Sequence, residues 1–422
     1  MVHEHGKSVT RCELASILRC LAVGLLLSTA VRAQMPANNP PGAKPVTPQA
    51  EIRFTPVQIA FSPGLGLMPR AGTVGGLRLS MPWGRCDTLY GLDLGLYNET
   101  RHGVNGFELG LVNRMPDLVA PGQEATPEPA PCRWVQAAVL ANWNNHVAMS
   151  GVQLAGLVNY NPELARCHGL QMALLMNANE TDADRNEGAS FRGIQIAGLV
   201  NRNRLSGASG GLQLAGLGNW NNGGTTFSGV QAAVILGNGG YISGLAQMMK
   251  SRDRTLDNVY PASVRGAQIS VGAFAAFYVI FPPLFLASAW VIPNNTADNL
   301  DGLQASGLGV NDVLNRCDGV QVAGLVNLVR HSGAGLQVGS LNMVGWNDRE
   351  ALDPNAPPPG FFGDFEFAGA QAGIVNLSRG RFAGVQIGIV NVSDRLCGVQ
   401  IGVVNWIQQG PVRCLPLLNA AF

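Results

Sequence analysis

The sequence predicts an all-β protein: a parallel β-solenoid of short coils, 14–18 residues each, carrying loop insertions. Three observations predict it. First, the nine-residue unit at 193–201 (GIQIAGLVN) returns at 151–159 (GVQLAGLVN) and 319–327 (GVQVAGLVN), and one residue shorter at 384–391 (GVQIGIVN). Second, the copies follow one another at short steps: 15 residues from Gly91 to Gly106, 18 from Gly193 to Gly211 and 14 from Gly384 to Gly398. Third, the copies carry the same amide residues at the same places, which a stack of equivalent coils explains directly.

Ahead of the repeats, residues 1–33 read as a secretory signal. Lys7, Arg11 and Arg19 supply a basic start, residues 21–31 (LAVGLLLSTAV) an apolar run, and Val31 and Ala33 the small residues before a cut at Gln34. Eleven apolar residues are too few to cross a bilayer, which takes about 20. Residues 34–51 are rich in Pro, Asn and Ala and read as a flexible leader, so a single β-repeat domain is expected over 52–422. Cleavage leaves 24 basic and 25 acidic residues, a net charge of −1.

Fourteen copies begin at Gly91, Gly106, Trp134, Gly151, Gly169, Gly193, Gly211, Gly229, Gly302, Gly319, Gly335, Gly369, Gly384 and Gly398, with degenerate ones at Pro56, Gly76, Gly244 and Gly266. With the first residue as position zero, +2 is Gln in twelve of the fourteen and Asp93 or Glu108 in the others. Position +1 is apolar, +3 apolar or Ala, +4 small in nearly all, and every copy closes on Asn. Alternation over +1 to +4 is a strand signature. Position −2 is usually apolar. Burial of −2 and +1 together would make the Gly at zero a bulge or corner. In a solenoid, Gln153, Gln171, Gln195, Gln213, Gln321, Gln337, Gln371, Gln386 and Gln400 form one ladder. Asn159, Asn177, Asn201, Asn327, Asn376, Asn391 and Asn405 form another. At ~4.8 Å per coil, roughly seventeen coils make a rod of about 80 Å. Polar insertions at 115–131, 178–190, 248–264 and 348–366 read as loops extruded from the stack.

The competing architecture is an antiparallel outer-membrane β-barrel. Trp143, Tyr160, Trp220 and Trp406 follow closing asparagines as a rim girdle would, and the chain ends on Phe422. A barrel, however, sends alternate strands up and down and gives no reason for uniform Gly and Asn. Residues 266–292 form a nearly uncharged run broken by Pro282 and Pro283. It reads as a widened coil or packed hairpin if buried, and as a membrane or partner contact if exposed.

Residues 89–98 (LYGLDLGLYN), followed by serial GVQIGIVN units, resemble a family of uncharacterised bacterial surface repeat-containing proteins. Residues 56–63 (PVQIAFSP) and 76–80 (GLRLS) are similar to that family's start, and 410–419 to its close. The resemblance covers roughly 54–422 and implies placement at a bacterial surface without a named reaction. Some members look like lipoproteins; here Cys12 and Cys20 both precede the apolar run instead of following it.

Composition narrows the function. Lysine is confined to Lys7, Lys44 and Lys250, and charged residues are only 13% of the chain, which argues against a nucleic-acid partner. His102, His146, His168 and His331 have no metal-ligand spacing and read as solvated loop residues. Asp182, Asp184 and Asn186 open like a calcium loop, but Glu187 stands where Gly is needed and Gly193 where Glu is needed. Phosphate-binding, dinucleotide and nucleophile-elbow motifs are missing from the sequence. No cofactor and no catalysis are therefore expected. Of six remaining cysteines, an even number that permits disulfides, Cys167 and Cys317 occupy a Phe position and read as small buried hydrophobes. The expectation is an exported surface or envelope protein with a structural or adhesive role toward an unidentified partner. The alternatives are an outer-membrane pore or anchor and, more remotely, a carbohydrate-active β-helix enzyme with acids clustered on one face.

Overall fold

The computed structural model describes residues 54–62, 65–66, 72–116, 129–181, 188–222, 226–234, 263–271, 295–345 and 365–422. The chain divides into Met1–Glu51 and Ile52–Phe422, and the repeat fold belongs to the second unit. The signal, the leader, the Gly244 copy, residues 182–187 of the calcium-like segment and residues 272–292 lie outside the described residues, as does most of the insertions at 115–131, 248–264 and 348–366.

Among the described residues every regular element is a strand, and the strands join in one open sheet. Pairing is parallel except at the two ends, where Leu65–Gly66 and Cys414–Ala421 run antiparallel to their neighbours. Register is residue for residue: Gly151 pairs with Gly169, Gly169 with Gly193, Gly193 with Gly211 and Gly211 with Gly229. Gly266 continues the column to Gly302. Its strand Ser263–Ser270 is in register on both sides and carries Gln268 into the Gln column. Together with the copies at Pro56 and Gly76, which pair through Val57–Leu77 and Gln58–Arg78, the described residues hold the first strand of seventeen coils.

This register overturns the barrel. An antiparallel barrel would send equivalent residues to opposite rims, whereas here they lie on single columns, and the sheet does not close. Trp143 and Tyr160 are neighbours on adjacent coils, ring centroids 5.5 Å apart, not members of a girdle.

Each coil has two legs. The first runs from −2 to +4 and the second is centred on the closing Asn. Along the first leg −2, +2 and +4 point inward while +1 and +3 point outward. Phe191 (−2) and Gln195 (+2) are fully buried, whereas Ile194 (+1) is 41% exposed. Position +1 therefore does not join −2 inside, and the strand keeps its period of two across the glycine. What is special at zero is conformational. Gly193 has φ 151°, and a Cβ there would lie 1.9 Å from the Gly169 carbonyl oxygen of the preceding coil. With the backbone in this conformation a side chain at zero would collide with the coil before it, which favours glycine there. Trp134 is the one non-Gly residue at zero among the fourteen copies, and it too has positive φ, 85°.

The −2 column fills the apolar part of the interior. Phe191 and Phe227 are fully buried in it, and Phe367 and Phe382 stack with centroids 5.8 Å apart. Buried residues form two apolar clusters, one from Val74 to Leu205 and one from Val264 to Ile407. The antiparallel strand Cys414–Ala421 covers the last coil, pairing Asn419 with Gln400. Such a cap occupies backbone groups that would otherwise recruit another chain.

Candidate functional site

The +2 glutamines and the closing asparagines form two hydrogen-bonded ladders of opposite polarity. Each Gln amide donates toward the N-terminal end: Gln171 to Gln153 (3.0 Å), Gln195 to Gln171 (2.8 Å) and Gln213 to Gln195 (2.7 Å). The run continues as Gln321, Gln337, Gln371, Gln386 and Gln400 each donate to the rung before. Each Asn amide donates the other way: Asn159 to Asn177 (2.8 Å) and Asn177 to Asn201 (2.9 Å). Asn327 feeds the next rung at Asn342, Asn376 donates to Asn391, and Asn391 to Asn405. The second Asn proton goes to a +3 backbone carbonyl of the following coil, as from Asn201 to Leu214 at 2.7 Å. Asn is thus required because its short arm ties one coil's second leg to the next coil's first leg. All of these Gln and Asn side chains are fully buried.

A third amide column, absent from the sequence-based expectation, runs beside them. Asn144, Asn161, Asn179, Asn203 and Asn221 stand two residues past the closing Asn and exchange hydrogen bonds with the Gln of their own coil. Gln195 and Asn203, for example, are joined at 3.1 and 2.7 Å. The signal was present as NWN, NYN, NAN, NRN and NWN, a period of two that places both amides on one side. In three C-terminal coils this place is taken by Val313, Val329 and Val344, whose glutamines have the ladder and weaker carbonyl contacts such as Gln321 to Leu328 at 3.5 Å, and in two later coils by Ser378 and Ser393, with Gln386 donating to Ser378 at 3.4 Å.

Toward the N-terminus the Gln ladder becomes charged. Arg78, Asp93 and Glu108 occupy successive +2 rungs, all fully buried. Arg78 pairs with Asp93, Ser80 donates to Asp93 (3.3 Å), and Thr100 (3.1 Å) and Gln136 (2.8 Å) donate to Glu108. Burial and then the neighbouring Asp93 charge push the Glu108 carboxyl up to about 7, against the pull of Arg78. Burial also raises Asp93, with Arg78 opposing. One cation therefore serves two carboxylates, of which Glu108 is the one poised to hold a proton. Both are sealed in the stack and present no acid to a solvent-borne substrate.

The six described cysteines are all free. Cys132, like Cys167 and Cys317, fills a −2 position, and burial raises the Cys86, Cys132 and Cys317 thiols to about 12 and Cys167 well above its usual value. These are packing residues with unreactive thiols. His146 departs from the solvated-loop expectation: it is 8% exposed at a tight bend with φ 49°, its backbone bonded to Pro162 and Ala130. Among the described residues no group of His, Cys, Asp and Glu has the arrangement of a metal site.

The outer surface carries the remaining chemistry. On the first leg, +1 and +3 make two columns of seventeen residues, from Val57 and Ile59 to Val399 and Ile401. Every member is Val, Leu, Ile, Met, Phe or Ala, and none is buried. Ile387 is 50% exposed, Ile269 and Ile194 each 41%. Soluble monomers rarely expose continuous apolar patches of more than a few hundred Å².

On the second leg, the residue after each closing Asn builds a different strip. Arg114, Trp143, Tyr160, Ala178, Arg202 and Trp220 occupy six consecutive coils in register. Arg114 lies over the Trp143 ring at 5.9 Å and its Nη1 donates to the Tyr97 hydroxyl (3.4 Å), while Arg202 pairs with Glu180 at 3.3 Å. Tyr97 in turn packs edge-on against Trp83, which carries Arg85 above its ring. Trp, Tyr and Arg held on rigid strands are the residue types that dominate binding energy at protein surfaces.

No protein-family model, curated protein or solved structure matches this chain.

Proposed function

We propose that the chain is an exported bacterial surface or envelope repeat protein with a structural and adhesive role, without catalysis, and that it contacts its partner through the Arg114–Trp220 strip. The observation that carries this reading is the strip itself: aromatic and guanidinium groups repeated at strand spacing on a scaffold whose coils are tied together inside by amide ladders. Such a scaffold loses little conformational entropy when its surface binds. The signal-like residues 1–33 and the resemblance to bacterial surface repeat proteins support export.

A second role, attachment to the outer membrane, is favoured by one observation. In the C-terminal coils the outward residues of the second leg are aliphatic as well, as in Val326 and Leu328, Leu341 and Met343, and Val390 and Val392.

The test is expression in a bacterial host with the signal intact, surface biotinylation of whole cells, and binding of the purified chain to isolated envelope fragments. Surface labelling is expected, with binding reduced at least ~10-fold in the Trp143→Ala/Tyr160→Ala double variant. Cytoplasmic retention, or binding indifferent to that variant, overturns the reading.

A further inference from the structure

We propose that the outward +1/+3 face is the contact between two copies of this chain, packed sheet on sheet. This goes beyond the adhesive reading and uses the other side of the coil.

Three features carry it. The first is area. Seventeen coils at ~4.8 Å span about 80 Å, and two columns ~7 Å apart with their side-chain margins are ~13 Å wide. That gives about 1,000 Å² per copy and ~2,000 Å² for a pair, against the ~1,600 Å² of a standard stable interface. The second is composition. Both columns are uncharged and apolar from end to end, so the face complements itself as the inner faces of a β-sandwich do. A two-fold contact needs that self-complementarity.

The third is the charge along one margin. The −1 column beside the face carries Arg133, Arg192 and Arg265 in its N-terminal and central coils and Asp301 and Asp318 in the coils that follow; all but Asp318 are exposed, and Asp318 is half-buried. With the two rods antiparallel over their full length, this margin lies against its own reversed copy, and Arg133 comes opposite Asp318 and one coil from Asp301. With the rods parallel, the same margin lies against the uncharged +5 column (Val139, Gly198, Val271, Gly307 and Gly324 in the charged coils), and Arg133 finds no acidic partner. The Arg133–Asp318 pairing selects the antiparallel dimer.

The experiment is sedimentation equilibrium of the purified exported chain, without detergent, alongside Ile196→Lys and the margin variant Arg133→Asp. The wild type is expected at twice the chain mass at ~1 μM. Ile196→Lys is expected to weaken association at least ~100-fold with unchanged circular dichroism and melting, since it would bury an unpaired ammonium. The margin variant, a change of one exposed surface charge that leaves the fold intact, is expected to weaken association and to be rescued by Asp301→Arg/Asp318→Arg.

A monomeric wild type overturns the proposal, as does a dimer indifferent to Ile196→Lys and to the margin charges. A monomer that floats with phosphatidylcholine vesicles, and loses that on Ile196→Lys, assigns the face to lipid and overturns it equally. Trp143→Ala/Tyr160→Ala separates the two readings: dimerisation should persist where envelope binding is lost.

Discussion

Gln136 donates from Nε2 to Oε2 of Glu108 at 2.8 Å, joining the amide ladder to the charged rungs that precede it. The bond passes from a neutral amide to a carboxyl whose proton is held up to about 7 by burial and by Asp93. A carboxyl raised above its unfolded value binds more protons folded than unfolded between the two values. Stability contributed by this site is therefore full below about pH 4.5 and falls as pH rises toward 7. Glu108→Gln extends the amide ladder by one rung and removes that loss. Urea denaturation at pH 5 and pH 8 should show the variant gaining on wild type at the higher pH, by at most about 3 kcal/mol. An equal offset at both pH values would assign Glu108 no proton linkage. Arg78→Leu should act in the opposite sense, costing about 3–5 kcal/mol at pH 8 by stranding buried carboxylates.

The two halves of the stack should respond differently to the same substitution. Gln195→Leu strips partners from Gln171, Gln213 and Asn203, whereas Gln337→Leu strips them only from Gln321 and Gln371. Each stranded buried polar group costs about 1–3 kcal/mol. Gln195→Leu should therefore be the more destabilising by roughly that amount. Equal chemical-denaturation midpoints for the two variants would count against the third amide column as a stabilising element. The pair Gln386→Leu/Gln400→Leu should disturb the last coils together, since those residues are consecutive rungs.

Backbone crowding gives a third expectation. Gly193→Ala sets a Cβ against the Gly169 carbonyl and forces an L residue to φ 151°, so it should lower stability by more than ~3 kcal/mol or abolish folding. At Gly188, whose φ is 83° but where a Cβ meets nothing, alanine should cost only about 1 kcal/mol, the conformational part. Thermal melts of the two variants separate close approach from backbone conformation.

The adhesive strip should be separable from stability. Trp143 is 37% exposed and its column faces solvent, so Trp143→Ala should shift the melting midpoint little while cutting envelope binding at least ~10-fold. A large loss of stability with proportionate loss of binding would make Trp143 a packing residue.

Much of this architecture is legible in the sequence because each coil repeats the same solution. Gln195 and Asn201 can be assigned to ladders from spacing alone, since only a parallel stack gives uniform positions a uniform partner. What stays hidden involves choices of side. The apolar character of +1 and +3 reads as core in any ordinary strand, yet Ile194 faces out because the amides of the same strand face in. Nothing in the local pattern says which of two alternating sets is inside; the asparagines decide it, because their second protons need carbonyls that only the neighbouring coil supplies. The charged rungs are hidden for a related reason. Asp93 and Glu108 read as exceptions to a Gln rule, and their burial follows from Arg78, an Arg in a degenerate copy fifteen residues earlier than Asp93. The strip shows in the sequence as scattered aromatics after Asn and gains meaning once Arg114 and Arg202 fall into its column.

The orientation of the coil, amides inside and apolar side chains outside, is tested most directly by the accessibility of single positions. Single cysteines placed at Val158, Asn159 and Tyr160, in a background with Cys397→Ser and Cys414→Ser, do so on the leg not assigned to self-association. Cysteines at 158 and 160 should react with a maleimide within minutes in the folded protein, while the one at 159 reacts only on unfolding. Ready labelling at 159 with protection at 158 and 160 would contradict an amide-filled interior.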